Sequence, residues 1–256
     1  MSEFWKTGIS KVEPNKILIR GYPVEELARK RSFGDVLFLL LTGELPKGRE
    51  GALAEAILIC CCDHGLLAPS TDAVRFVASC GVPLQTAVAA GVSAIGDTHG
   101  GAIEPLARLF MRSGRGEIEL GEHMVSLKKS GQRMPGFGHP IHRPDPRTVA
   151  LFALADEWSL SGAHVKRVRE LEAATESLVG RHLTLNVDGA IAALMADLGI
   201  DPIYGKAFFI VGRAAGYVAH AAEQVLHEKP FKQVPLSEIT YTGADERPVP
   251  DPPGEQ

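Results

Sequence analysis

The chain has 256 residues, of which 45% are hydrophobic and 23% charged, with a formal net charge of −4. That length can bury a substantial core, as one large domain or two unequal ones, and the acidic balance argues against a nucleic-acid binder, which would show a basic face. The four cysteines do not form the disulfide framework of a small secreted domain. The opening MSEFWKTGIS lacks an apolar signal core, and the most apolar run, Val36–Leu41, is far too short for a bilayer. The expected address is therefore cytoplasmic, with neither membrane nor nucleic acid among the partners.

Lys16–Gly21 (KILIRG) is short, β-branched and bounded by turns, which fits a small strand or an extended arm. Beyond it helical spacing dominates. Tyr22–Lys30, Phe33–Thr42 and Glu50–Cys62 read as helices separated by Gly, Pro or Ser. Thr71–Cys80 follows, then Leu84–Ile95, whose lack of charge predicts burial on all sides. Ala102–Arg112, Gly121–Ser130, Arg147–Leu160, Ala163–Val179, Gly189–Leu198 and Tyr204–Leu226 complete the helices. The strand–helix alternation of a parallel sheet is missing, so the predicted fold is all-α. The proline-bearing tail, Asp245–Gln256, reads as extended. Cys60, Cys61 and Cys62 are consecutive, so on a helix they diverge; they read as small apolar residues rather than zinc ligands.

Chemistry concentrates in a few small-residue segments. Met134–Arg147 (MPGFGHPIHRPDPR) sets His139 behind two glycines that allow close backbone approach to a ligand. Arg147 follows a proline suited to a helix's first turn. A histidine and an arginine on one short segment suit a small carboxylate. His64 lies in CDHGL at a predicted helix end, and His99 in GDTHGGA, between a turn and a helix whose free N–H groups suit an anion. Asp188 in LNVDG stands near a helix start, where it is either a chemical group or simply the cap. Arg213 falls inside an apolar helix, and a buried guanidinium needs an anionic partner, which a bound carboxylate satisfies bidentately.

The order of these segments resembles the citrate synthase superfamily over nearly the whole chain. Ile19–Pro46 (IRGYPVEELARKRSFGDVLFLLLTGELP) is similar to that family's N-terminal signature. GDTHGGA, PGFGHPIHRPDPR, NVDGAIAALMADLGI, FIVGRAAGYVAHAAEQ and SEITYTG follow in the family's order. The short connection between GELP and DHG is similar to the compact branch, the citryl-CoA lyases and the citryl-CoA-cleaving module of ATP-citrate lyase.

The resemblance implies a large helical domain (1–101 and 186–256) and a smaller helical domain (102–185) that closes over a cleft, with hinges near 96–101 and 186–189. It implies a homodimer or a dimer of dimers. It assigns His99 to the thioester oxygen and enolate, Asp188 to the proton on the acetyl carbon, and His139 to the hydroxyl proton of the citryl group. It gives the dicarboxylate to His64, Arg147 and Arg213, and the coenzyme A site to the backbone of Gly136, Phe137 and Gly138. Coenzyme A enters as thioester substrate or product, and no metal is called for, because histidine and arginine supply the polarisation.

The implied reaction is cleavage of citryl-CoA to acetyl-CoA and oxaloacetate through the acetyl-CoA enolate. Its alternatives are a citrate or 2-methylcitrate-type synthase joining an acyl-CoA to a 2-oxo acid, and a non-catalytic acyl-CoA-binding subunit. One departure concerns the acid. Where the family carries a further arginine, donated across the dimer, this chain has Gln233, flanked by Lys232, with Arg247 on the tail.

Overall fold

The apolar β-branched residues of the N-terminal segment do form strands. The structure, a computed structural model describing residues 4–249, has a small antiparallel sheet of β1 (Ser10–Glu13), β2 (Lys16–Ile19) and β3 (Tyr22–Pro23). Tyr22 and Pro23, read from sequence as the start of a helix, pair with β2 instead. Helix α1 (Val24–Lys30) starts only after that proline.

The remaining regular structure among the described residues is helical. It consists of α2 (Phe33–Thr42), α3 (Glu50–Cys61), α4 (Pro69–Ala78), α5 (Leu84–Ser93), α6 (Ile103–Gly114), α7 (Leu120–Lys129), α8 (Pro146–Glu157), α9 (Ala163–Val179), α10 (Val187–Asp197) and α11 (Gly205–His227), with short 3-10 turns between them. The predicted all-α class therefore holds, with shifts of a few residues at most helix ends. α2 shows why its boundaries were readable: Ser32 and Asp35 form a reciprocal capping box, and Gly43 ends the helix at φ 88°.

The core is built around α10. Ala190 through Met195 are fully buried, as expected of a helix apolar on every face. It packs on α6, α8 and α9, while α11 packs on α3, α4 and α5. A Cβ on Gly212 would collide with the backbone of Leu58 and with Cys61, so glycine there lets α11 approach the end of α3 closely.

α5 corrects an expectation. Only Ala87 and Gly91 are buried, and Leu84 is well exposed. Its missing charge reflects small residues packed on α4 and α11 along one face, with the other face open. The cysteine run diverges as expected: Cys61 is buried, and Cys60 and Cys62 are half-buried. Of the tail, Asp245–Val249 is exposed and carries no helix or strand; the rest lies outside the described residues. Among the described residues no helix is long and apolar enough to cross a membrane.

Candidate active site

His64 owes its place to the end of α3. Past Cys62 the chain turns, and the Asp63 carboxylate accepts from Gly65 N (3.2 Å) and contacts His220 (3.1 Å). This fixes the turn so that His64 Nε2 lies 3.3 Å from Nε2 of His142. Its ring centroid is 5.4 Å from that of His139. The pKa of His64 is lowered by burial, with Arg147, His142 and Arg213 adding to the effect, so the ring is neutral near pH 7.

The loop carrying His139 is pinned to the entry of α10. Asn186 N donates to Gly136 O (2.9 Å), Gly138 N to Thr184 O (2.6 Å), and Asn186 Nδ2 to Gly138 O (3.0 Å). The same Asn186 caps α10, accepting from Asp188 N (3.1 Å) and Gly189 N (3.2 Å). Capping is thus done by the neighbour, and the Asp188 carboxylate is released from that duty. Gly136 has φ 77°, and a Cβ there would meet Gly189 Cα at 3.0 Å and Leu106 Cδ1 at 2.7 Å. Gly136→Ala combines a left-handed backbone with a collision at the helix entry. It is expected to destabilise the chain by roughly 1–3 kcal/mol, read as a lower urea midpoint with an unchanged slope.

His139 is approached by donors from both sides. Its Nδ1 accepts from Ile141 N (3.2 Å) and His142 N (3.1 Å). A neutral ring with Nδ1 as acceptor carries its proton on Nε2. Yet Nε2 faces Nη2 of Arg147 at 3.4 Å. Two donors thus point toward one region, an arrangement that an oxygen acceptor between them would satisfy. Burial lowers the His139 pKa, and His142, Arg147 and His64 reinforce this against the opposing charge of Asp145.

Arg147 is itself held by Asp145, whose side chain is fully buried. Nε and Nη2 of Arg147 donate to the two carboxylate oxygens at 3.0 and 2.9 Å. Asp145 also caps α8 through Arg147 N (3.0 Å) and accepts from Val187 N (3.1 Å), joining the loop to α10 a second time. Burial alone would raise the Asp145 pKa, but the bonds and charge of Arg147 outweigh it and hold the carboxyl below its ordinary range.

Arg213 is 2% exposed on α11. Its Nε donates to Cys61 O (2.7 Å), and its guanidinium lies 4.6 Å from the Phe209 ring centroid. Its Nη1 is buried with no hydrogen-bond partner, which marks it as a donor awaiting an acceptor. Across the same Phe209, His99 packs edge-on at 5.5 Å. His99 sits in a tight turn closed by Gly96, and its Nε2 is 2.7 Å from Oγ of the fully buried Ser70. Burial first, then Arg213, lowers the His99 pKa. Asp188 has the opposite character: desolvation raises its pKa above the usual carboxylate range, against the pull of Arg147 and Arg213.

Beside His139 opens a cavity of about 590 Å³ lined by Phe137, Gly138, Lys128, Arg133, Arg143 and Arg181, among others. Its cationic rim suits a polyanionic ligand. Of the backbone positions expected at such a site, Phe137 and Gly138 line it, while Gly136 lies behind them against α10. His64, His139 and Arg147 gather within a few ångströms of one another. Arg213 acts electrostatically on His64, His99 and Asp188. His99 stands on the Ser70 side of Arg213 and does not line the cavity. Gln233 and Lys232 are exposed, and the Lys232 backbone N–H donates to Ser79 Oγ (3.0 Å).

Sequence reading missed Asp145, Asn186, His142 and Ser70. The Asp–Pro–Arg run was itself a signal for the first, since aspartate before Pro at a helix start is a cap. Asn186 had the same kind of signal, one residue ahead of the helix. Ser70 had none, because its partner is distant in sequence.

A mainly helical fold whose loops gather histidines, arginines and desolvated carboxylates beside a cationic cleft defines a class. The family pattern described as citrate synthase, C-terminal domain, matches residues 3–56 and 47–233, and the chain belongs to the citrate synthase family. Its fold is similar to that of citryl-CoA lyase from Hydrogenobacter thermophilus, at 38% identity and a TM-score of 0.90, covering 97% of this chain and 98% of that one. It is similar to ATP citrate lyase from Methanothrix soehngenii, solved with citrate and coenzyme A, at 25% identity and a TM-score of 0.85, covering 96% of this chain and 43% of that one. The probable ATP-citrate synthase of Dictyostelium discoideum is 30% identical over 86% of this chain. The chain spans about two-fifths of the length of curated relatives such as this one.

Proposed function

We propose that this chain is a citryl-CoA lyase that splits citryl-CoA into acetyl-CoA and oxaloacetate. The observation that carries the reading is the buried Arg213 Nη1 with no hydrogen-bond partner, together with Arg147 Nη2 facing His139 Nε2 at 3.4 Å and both arginines acting on the desolvated Asp188. The arginines grip the dicarboxylate part of the substrate with His64. The His139 N–H and Arg147 hold the oxygen that changes from hydroxyl to ketone. The proton of that hydroxyl leaves toward the surrounding imidazoles as the carbon–carbon bond breaks. This departs from assigning it to His139 alone, because Nδ1 accepts two backbone N–H groups and a neutral ring then carries its proton on Nε2. His99 stabilises the acetyl-CoA enolate, and Asp188 in its acid form returns a proton to carbon. The cationic rim of Lys128, Arg133, Arg143 and Arg181 takes the coenzyme A phosphates.

The likeness across nearly the full length of a citryl-CoA lyase supports the cleavage reading. Segment 102–185 is taken as the smaller domain, closing to keep water from the enolate. Two copies pair as in the family, a reading supported by the exposed Leu84, Leu236 and Tyr241.

The reaction is tested by incubating the purified chain with citryl-CoA and following oxaloacetate through a coupled hydride transfer. Oxaloacetate release without free citrate is the expected result. Citrate accumulating from acetyl-CoA and oxaloacetate would instead establish the synthase, and coenzyme A binding without turnover in either direction would leave a binding subunit.

A further inference from the structure

We propose that His64, His139 and His142 form a binding site for a borderline divalent transition-metal ion of the Zn²⁺ class, overlapping the place where the acid portion of the substrate is held. One ring nitrogen from each lies within 4.8 Å of those of the other two. The 3.3 Å between Nε2 of His64 and Nε2 of His142 is the edge of a tetrahedron whose metal–nitrogen bonds are about 2.0–2.1 Å, since two such ligands stand about 3.3–3.4 Å apart. His139 stacks on His142 with centroids 4.4 Å apart and meets His64 edge-on at 5.4 Å, so all three rings surround one small volume. Three imidazoles and an open fourth position suit Zn²⁺, Co²⁺ or Ni²⁺ and not the oxygen-seeking Mg²⁺ or Ca²⁺.

The surroundings permit a cation there. Arg147 approaches Nε2 of His139 at 3.4 Å, but its charge is compensated by the buried Asp145. Arg213 also acts on His64, and the Asp145 carboxylate opposes both arginines there. Coordination through Nε2 of His139 moves its proton to Nδ1. This gives up the two hydrogen bonds that Nδ1 accepts at 3.2 and 3.1 Å, one of them from the exposed Ile141. The cysteines are a separate matter, since none belongs to this cluster.

Bound metal would occupy the His64 nitrogen and displace the Nε2 proton that His139 turns toward the substrate, so the ion acts as a reversible inhibitor. That consequence rests on the function proposed above; the binding itself does not.

The test is titration of metal-free protein with Co²⁺, followed by displacement with Zn²⁺. The expected result is one equivalent per chain with the strong visible absorption of low-coordinate cobalt, and an affinity at least about tenfold weaker in both His142→Asn and His64→Gln. These two variants lie on separate segments, so loss in both marks loss of ligands and not distortion of one loop. Cys62→Ser should leave the titration unchanged. Sulfur-to-cobalt charge-transfer bands that vanish in Cys62→Ser, or wild-type affinity in His142→Asn, would overturn the site. The titration uses no substrate, so it decides the metal site even if citryl-CoA is not cleaved. Where turnover is observed, Zn²⁺ should raise the apparent KM for the acid substrate and a chelator should reverse the effect.

Discussion

Asp188→Asn is expected to lower turnover by about 10²–10⁴-fold, the usual contribution of a positioned acid or base, while leaving coenzyme A affinity within about twofold. The same variant should be more stable than the parent. Desolvation raises the folded-state pKa of Asp188 above its unfolded value. A carboxyl shifted that way is favoured while protonated, and costs stability once the pH rises past its unfolded value and it must ionise in place. The neutral amide of Asn removes that cost, so the melting temperature measured at pH 7.5 should rise as activity falls. The raised pKa also separates the two reaction directions. Cleavage needs the acid form to protonate the enolate, and condensation needs the carboxylate to remove a proton. Single-turnover cleavage should therefore quicken as pH falls through the Asp188 transition, and enolisation of acetyl-CoA, followed by deuterium exchange, should quicken as pH rises. Equal turnover in Asp188→Asn and the parent would remove this residue from the chemistry altogether.

Asp145→Asn addresses the support beneath the site. It removes the charge that compensates Arg147 and leaves a largely buried guanidinium without its partner. Breaking such a pair costs about 3–5 kcal/mol, which corresponds to a fall in melting temperature of roughly 6–20 °C for a chain near this size. Asp145 also holds Val187 N at the start of α10, so Arg147, proposed to bind the acid, and the helix bearing Asp188 should lose their placement together. The double variant Asp145→Asn/Arg147→Gln should recover part of the stability and none of the activity. That split identifies the uncompensated charge as the cause, whereas a double variant no more stable than the single one would refute it. The pH dependence has a definite sign. The folded Asp145 pKa lies below its unfolded value, so its stabilisation is complete above the unfolded pKa of about 3.9 and is lost as pH falls through the lower folded value. Acid unfolding of the parent should show a carboxylate-linked loss of stability that Asp145→Asn lacks.

Much of the fold was legible because local chemistry wrote its own boundaries. Ser32 and Asp35 mark one end of α2 and Gly43 the other, and both signals are properties of neighbouring residues. α5 was misread because absence of charge is ambiguous: it describes a buried helix and equally a helix of small residues with one open face. Tyr22 and Pro23 were misread because pairing with β2, a partner that helical periodicity ignores, decides their conformation.

The sequence by itself determined the chemical inventory and its order: all-α architecture, the two glycines before His139, an arginine within an apolar helix, and an aspartate at the start of α10. Those follow from periodicity, backbone permissiveness and the cost of burying charge, all readable one segment at a time. Only the tertiary structure decided that Asn186 takes over the cap and frees Asp188, that Asp145 neutralises Arg147, that Arg213 keeps one donor unmet, and that His142 joins His64 and His139. Each of these depends on which groups satisfy one another across the packed interior, and hydrogen-bond and charge compensation between distant segments is settled only when the chain has folded.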